Sequence, residues 1–144
     1  MNISQILQKT PLNQRVFISE YQKKAPLILV AEEKLADRIV IKELLDLYNA
    51  RILETTSGEA TFDFTVIHRP DLIFIDSSLP GLDAFETAHL IRTIYAFHQI
   101  PIIFLSDYPE RTERYKAFNA GADDYLIKPL DLDRIDNILE RYCL

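Results

Sequence analysis

Five short, nearly unbroken apolar runs punctuate this chain, at residues 27–31, 51–55, 72–75, 100–105 and 125–127. The second is the weakest of them. A run this short and this apolar has no polar face to show to water, so it predicts a strand buried on both sides. Between the runs the apolar spacing changes to that of helices. Leu35, Val40, Ile41, Leu44, Leu45 and Tyr48 recur on one helical face. Residues 59–68 predict a second, weakly patterned helix. Residues 83–97 predict a third, with Asp83 as its N-cap. Residues 115–120 belong to a fourth, stopped by Gly121, and 131–142 form the closing helix. Strand and helix in regular alternation predict an α/β fold, a doubly wound five-stranded parallel sheet with helices on both faces.

Composition narrows the class of protein. The chain has 144 residues, 48% of them hydrophobic and 26% charged, which suits one domain with a real core. The net charge of −6 lacks the basic stripe of a nucleic-acid binder. A single cysteine, Cys143, leaves no internal disulfide and no all-thiolate metal site, which fits a reducing, cytoplasmic setting. No apolar run is long enough to span a bilayer, and the start lacks the apolar core of a signal peptide. The expected partners therefore include neither nucleic acid nor membrane. Residues 1–25 lack the strand-helix pattern of the rest of the chain and are expected to be an N-terminal extension, with a short helix over 13–22. Residues 26–144 would form the domain.

The polar residues at the strand ends carry the functional signal. The first run ends in Glu32-Glu33, the third in Asp76, the fourth in Ser106-Asp107 and the fifth in Lys128-Pro129. In a doubly wound sheet the carboxyl ends of the strands converge on one crevice. Carboxylates gathered there repel one another unless a positive charge lies between them. Oxygen ligands of this kind suit a hard divalent cation such as Mg²⁺. A nucleophilic carboxylate, a lysine and a hydroxyl together suit phosphoryl transfer to the carboxylate.

Five segments in order resemble the receiver domain of response regulators. They are Ile28-Leu29-Val30-Ala31-Glu32-Glu33, Pro70-Asp71-Leu72-Ile73-Phe74-Ile75-Asp76, Leu79-Pro80-Gly81-Leu82-Asp83, Ile100-Pro101-Ile102-Ile103-Phe104-Leu105-Ser106 and Gly121-Ala122-Asp123-Asp124-Tyr125-Leu126-Ile127-Lys128-Pro129. The resemblance implies a flavodoxin-like sheet of strand order 2-1-3-4-5. It implies a role in two-component phosphorelay signalling rather than turnover catalysis. Asp76 would take a phosphoryl group from a histidine kinase or histidine phosphotransfer protein. Lys128 would pair with that group, and the Ser106 hydroxyl would turn toward it. Tyr125 would rotate inward as the hydroxyl moves. Glu32, Glu33, Asp76 and the backbone carbonyl of Ser78 would hold Mg²⁺. Signalling would pass to a downstream protein target or to an output domain outside this sequence. A homodimer is also open.

Two departures from the family's pattern bear on this. Glutamates stand where aspartates are usual, and the longer side chain adds roughly 1.5 Å of reach against a ligand tolerance of ~0.2 Å. Weak Mg²⁺ binding is expected. Asp107 follows the switch hydroxyl where the family prefers a small residue, and its charge is expected to hinder an arriving phosphoryl group. An alternative is thus a pseudo-receiver, a binding module that works without phosphorylation. Two other classes fit poorly. An aspartate-nucleophile hydrolase would want an acid at Ser78, and a flavin binder would want a phosphate cradle where Glu32-Glu33 stand. Ordinary readings exist for single residues: Glu32-Glu33 as helix-opening acids, Asp76 as a turn acid, Lys128 as a loop lysine, Ser106 as a cap and Tyr125 as core packing. The three histidines have no metal-motif spacing.

Overall fold

The computed structural model describes Gln5 and residues 25–143. The expected helix over 13–22 lies outside the described residues, as does nearly all of the expected extension. The strands are β1 (Leu27–Ala31), β2 (Arg51–Thr55), β3 (Leu72–Asp76), β4 (Ile102–Ser106) and β5 (Asp124–Ile127). The helices between and after them are α1 (Leu35–Asp46), α2 (Gly58–His68), α3 (Ala84–Thr93), α4 (Arg111–Ala120) and α5 (Leu132–Tyr142). The five strands form one parallel sheet in the order β2-β1-β3-β4-β5. This is the flavodoxin-like receiver fold that the sequence implied.

Alternation along each strand sends side chains to two separate cores. Ile28, Val30, Leu72, Phe74, Ile103 and Leu105 face α1 and α5, packing on Ile41, Leu45, Ile135, Ile138 and Leu139. Leu29, Ala31, Ile73, Ile75, Ile102 and Phe104 face the other way, against Ala84, Ala88 and Ile91 of α3 and Ala117 of α4. Both faces of β3 and β4 are fully buried, which is why their sequences carry no polar alternation. β2 lies at the sheet edge and is partly exposed, which accounts for its weaker apolar signal.

Two helices differ from the sequence expectation. The predicted helix over 83–97 is broken: α3 ends at Thr93, Ile94 is extended, and a single 3-10 turn spans Tyr95–Phe97. The break lets Ile94 and Phe97 turn into the core beneath α3. α4 begins at Arg111, a full turn earlier than the apolar pattern indicated, because its first turn is polar and largely exposed. Smaller shifts occur elsewhere; β4, for example, starts at Ile102 and runs through Ser106.

The loops at the carboxyl edge of the sheet are firmly set. Asp83 caps α3 by accepting from the Glu86 N–H at 2.8 Å, and Asp131 caps α5 by accepting from the Arg134 N–H at 2.9 Å. Glu59 in the first turn of α2 reaches across to accept from the Leu82 N–H at 2.8 Å. That bond ties α2 to the loop following β3, directly after Asp76.

Candidate phosphoacceptor site

Asp76 is the last residue of β3 and is 1% exposed. β1 lies beside β3 and delivers Glu32, 0% exposed, at its carboxyl end. Lys128 follows β5, and its side chain crosses the sheet edge to meet both. Its Nζ lies 2.7 Å from Glu32 Oε2, 2.8 Å from Asp37 Oδ2 and 3.1 Å from Asp76 Oδ1. The peptide between Lys128 and Pro129 is cis.

The ammonium donates hydrogen bonds to Glu32 and Asp37. Asp76 Oδ1 is close to it but receives no well-aligned hydrogen bond and is fully buried. The other carboxylate oxygen, Oδ2, accepts from the Ser78 hydroxyl at 2.7 Å. Ser78 thus meets Asp76 through its side chain. Burial alone would push the Lys128 pKa down, but hydrogen bonds to Asp37 and Glu32 and the Asp76 charge outweigh it, and the net shift is upward. Burial raises the Glu32 pKa, even against the hydrogen bond from Lys128. Three carboxylates and one ammonium leave a net negative crevice.

Ser106 ends β4, and its hydroxyl is engaged with the loop ahead of α4. Its Oγ accepts from the Tyr108 N–H at 3.0 Å and lies 3.0 Å from Glu113 Oε1. No hydrogen bond joins it to Asp76 among the described residues. Tyr125 is 3% exposed, and its hydroxyl donates to the Tyr108 carbonyl at 3.1 Å. Burial raises its pKa. Ser106 and Tyr125 therefore share one backbone residue, Tyr108, as an anchor.

Glu33 and Asp107 form no hydrogen bond or ion pair with Asp76, Glu32, Asp37 or Lys128 among the described residues. Glu33 is exposed at the mouth of the loop after β1, and its backbone carbonyl accepts from Arg38 at 2.8 Å. Asp107 was expected to oppose a phosphoryl group. Its Oδ2 lies 3.1 Å from Lys34 Nζ, in an exposed ion pair. That hydrogen bond raises the Lys34 pKa. The Asp107 charge is thus partly neutralised at the rim of the crevice.

Asp37 and Glu113 were missed at the level of sequence. Each is an acid in the first turn of a helix, where an acid is already explained by the helix dipole. Only the packing of α1 against the loop after β5 shows that Asp37 faces Lys128. As arranged, the residues do not form a metal cage. No three acidic or histidine side chains among the described residues converge as metal ligands, and the Lys128 ammonium lies among the acids that would do so.

The sequence profile of the response regulator receiver domain matches residues 28–140. The chain belongs to that family, a class of signalling modules in two-component systems rather than turnover enzymes. It is 35% identical over 120 residues to the transcriptional regulatory protein AfsQ1 of Streptomyces coelicolor, an alignment covering 81% of this chain and 52% of that one. The chain thus spans about half the length of that relative. It is 25% identical over 115 residues to sporulation initiation phosphotransferase F of Bacillus subtilis, covering 80% of this chain and 91% of that protein. Among solved structures it is similar to the receiver domain of the sensor histidine kinase PA1611 of Pseudomonas aeruginosa. That match has a TM-score of 0.77 and 28% identity, and covers 83% of this chain and 98% of that one. The PA1611 domain holds a magnesium ion in its active-site cleft. No helix among the described residues is long and apolar enough to cross a membrane.

Proposed function

We propose that this domain is a phosphorylatable receiver and that Asp76 is its phosphoacceptor. The observation that carries the reading is the buried Asp76 Oδ1, without a hydrogen bond and 3.1 Å from the Lys128 ammonium. A nucleophile needs an oxygen with available lone pairs; Oδ2 already accepts from Ser78, while Oδ1 accepts no aligned bond. In the transfer, an Asp76 oxygen forms a bond to phosphorus as the phosphorus–nitrogen bond of a phosphohistidine breaks. The electron pair of that bond stays on the imidazole nitrogen. Lys128 offsets charge on the phosphoryl oxygens.

The donor would be a histidine kinase or histidine phosphotransfer protein. The Ser106 hydroxyl would leave Tyr108 and Glu113 for the acyl phosphate, and Tyr125 would follow. The change would then be read by a downstream protein or output domain. A small phosphoramidate tests the chemistry without a partner, its nitrogen leaving as ammonia. In buffer supplied with Mg²⁺, intact-mass measurement should show one added phosphoryl group, and Asp76→Asn should show none. No added mass on the unmutated protein would overturn the reading.

One observation favours the pseudo-receiver alternative: the acids of the crevice are gathered around Lys128 rather than around a cation position. An unlabelled protein would leave that alternative standing. The ion pair of Asp107 with Lys34 weakens the support that its charge lends to that alternative. Because Asp107 is paired with Lys34 at an exposed position, Asp107→Ala should change the labelling rate by less than about fivefold, the rate equivalent of ~1 kcal/mol for a surface ion pair. A tenfold gain would show that the Asp107 charge reaches the incoming phosphoryl group after all.

A further inference from the structure

Asp37 stands outside the set of residues that the family resemblance assigns, yet it makes one of the two hydrogen bonds of the Lys128 ammonium. Asp37 Oδ2 lies nearer to Nζ than Asp76 Oδ1 does, at 2.8 Å against 3.1 Å. Glu32 takes the second bond at 2.7 Å. An ammonium has three donors, and the two held by these acids fix where it can point. On the carboxylate that would receive the phosphoryl group, the oxygen nearest the ammonium, Oδ1, is left without an aligned bond. The Asp37 side chain is about one-third exposed, unlike fully buried Glu32, so it is the partner that solvent can most easily take over.

We propose that Asp37 is a positioning residue of the phosphoacceptor site, holding the Lys128 ammonium back from Asp76 in the resting domain. The inference rests on the reading of Asp76 as phosphoacceptor. Lys128 must give up Asp37 before it can engage a phosphoryl group fully. Glu32 stays in place beneath it, because it is fully buried and its Oε1 is also held by the Lys34 N–H at 3.0 Å. That restraint slows transfer in the resting state and acts through the lysine. With a phosphoramidate donor, an Asp76 oxygen bonds to phosphorus as the phosphorus–nitrogen bond breaks, and the nitrogen leaves as ammonia.

The test is a double-mutant cycle read by the rate of phosphoramidate labelling at Asp76. Asp37→Asn should speed labelling on the order of tenfold, equivalent to about 1.4 kcal/mol of barrier. Asp37→Glu, which keeps the charge, should stay near the parent rate. In a Lys128→Gln background, Asp37→Asn should lose most of its effect. An undiminished acceleration there would show that Asp37 acts by its own charge and would overturn the positioning role, as would no acceleration in the Lys128 protein.

A second measurement is independent of labelling. In ¹⁵N-lysine NMR spectra of the full chain, the Lys128 ammonium protons should exchange slowly with water, and Asp37→Asn should speed that exchange. Fast exchange in the unmutated protein would overturn the proposal even if labelling succeeds. If no variant is labelled while the ammonium signal still depends on Asp37, the phosphoacceptor reading fails and the contact between Asp37 and Lys128 stands.

Discussion

Gly58→Ala should destabilise the domain by about 3 kcal/mol or more, the largest loss expected from adding one methyl group. A Cβ at this position would lie 1.8 Å from the Leu82 carbonyl oxygen and 2.5 Å from Thr87 Oγ1. A hydroxyl can rotate away, but the Leu82 carbonyl belongs to backbone held on both sides. The Leu82 N–H is tied to Glu59, and the next residue, Asp83, caps α3. Relief therefore requires α2 and the loop after β3 to move apart. That loop starts at Asp76, so labelling of any folded Gly58→Ala protein should also slow. Chemical denaturation checks the stability effect through a lower midpoint at unchanged slope. A loss below about 1 kcal/mol would show that α2 can shift without disturbing the loop.

Arg92→Ala should cost about 3 kcal/mol, for a different reason. The Arg92 guanidinium lies at the end of α3 and gathers the chain around it. It donates to the carbonyls of Gly121 at 2.9 Å, Phe97 at 2.9 Å, His98 at 3.2 Å and Ile100 at 2.7 Å. Its Nη2 meets Asp123 Oδ2 at 2.8 Å, and the same oxygen accepts from the Ile102 N–H at 2.9 Å. One side chain thus fixes the end of α3, the start of β4 and the turn into β5. Truncation would strand several part-buried carbonyls, each of which costs free energy when left unpaired. Arg92→Lys should recover only part of the loss, because one ammonium cannot reproduce the planar fork. Full recovery by lysine, measured in the same denaturation experiment, would show that charge rather than the fork is what the site needs.

Neither of these residues stood out in the sequence, while the sheet did. Strands buried on both faces leave unbroken runs such as Leu72 to Ile75, and these are legible because nothing polar can be accommodated there. α2 was harder to read for a physical reason. Its buried positions include Gly58, Thr61 and Thr65, which are not apolar. The threonine hydroxyls bond to carbonyls one turn back, Thr61 to Ser57 at 2.7 Å and Thr65 to Thr61 at 2.8 Å. Satisfied in that way, they can face the core without leaving an apolar stripe. The end of α3 was overrun because Ile94 and Phe97 continue the apolar pattern, although the chain carries them into the core by a break at Ile94.

The site was legible where strand ends carry it. Asp76, Glu32 and Lys128 come together because a parallel doubly wound sheet sends the ends of β3, β1 and β5 to one edge. Asp37, Glu113 and the pairing of Lys34 with Asp107 were not legible in the same way. Each depends on how a helix or loop packs across that edge, and sequence spacing carries no information about such contacts. Arg92 reads as an ordinary surface helix residue until the carbonyls around it are seen.

If Asp76 is the phosphoacceptor, the phosphoryl group goes to that carboxylate and to no other residue. Fragment-ion mass spectrometry of the phosphoramidate-treated protein, after borohydride trapping of the acyl phosphate, addresses this most directly. The expected result is a single trapped site, in the peptide containing Asp76 and at that residue, and none in the Asp76→Asn protein. Trapping at Glu32, Asp37 or any other carboxylate, or equal trapping in the Asp76→Asn protein, would contradict it.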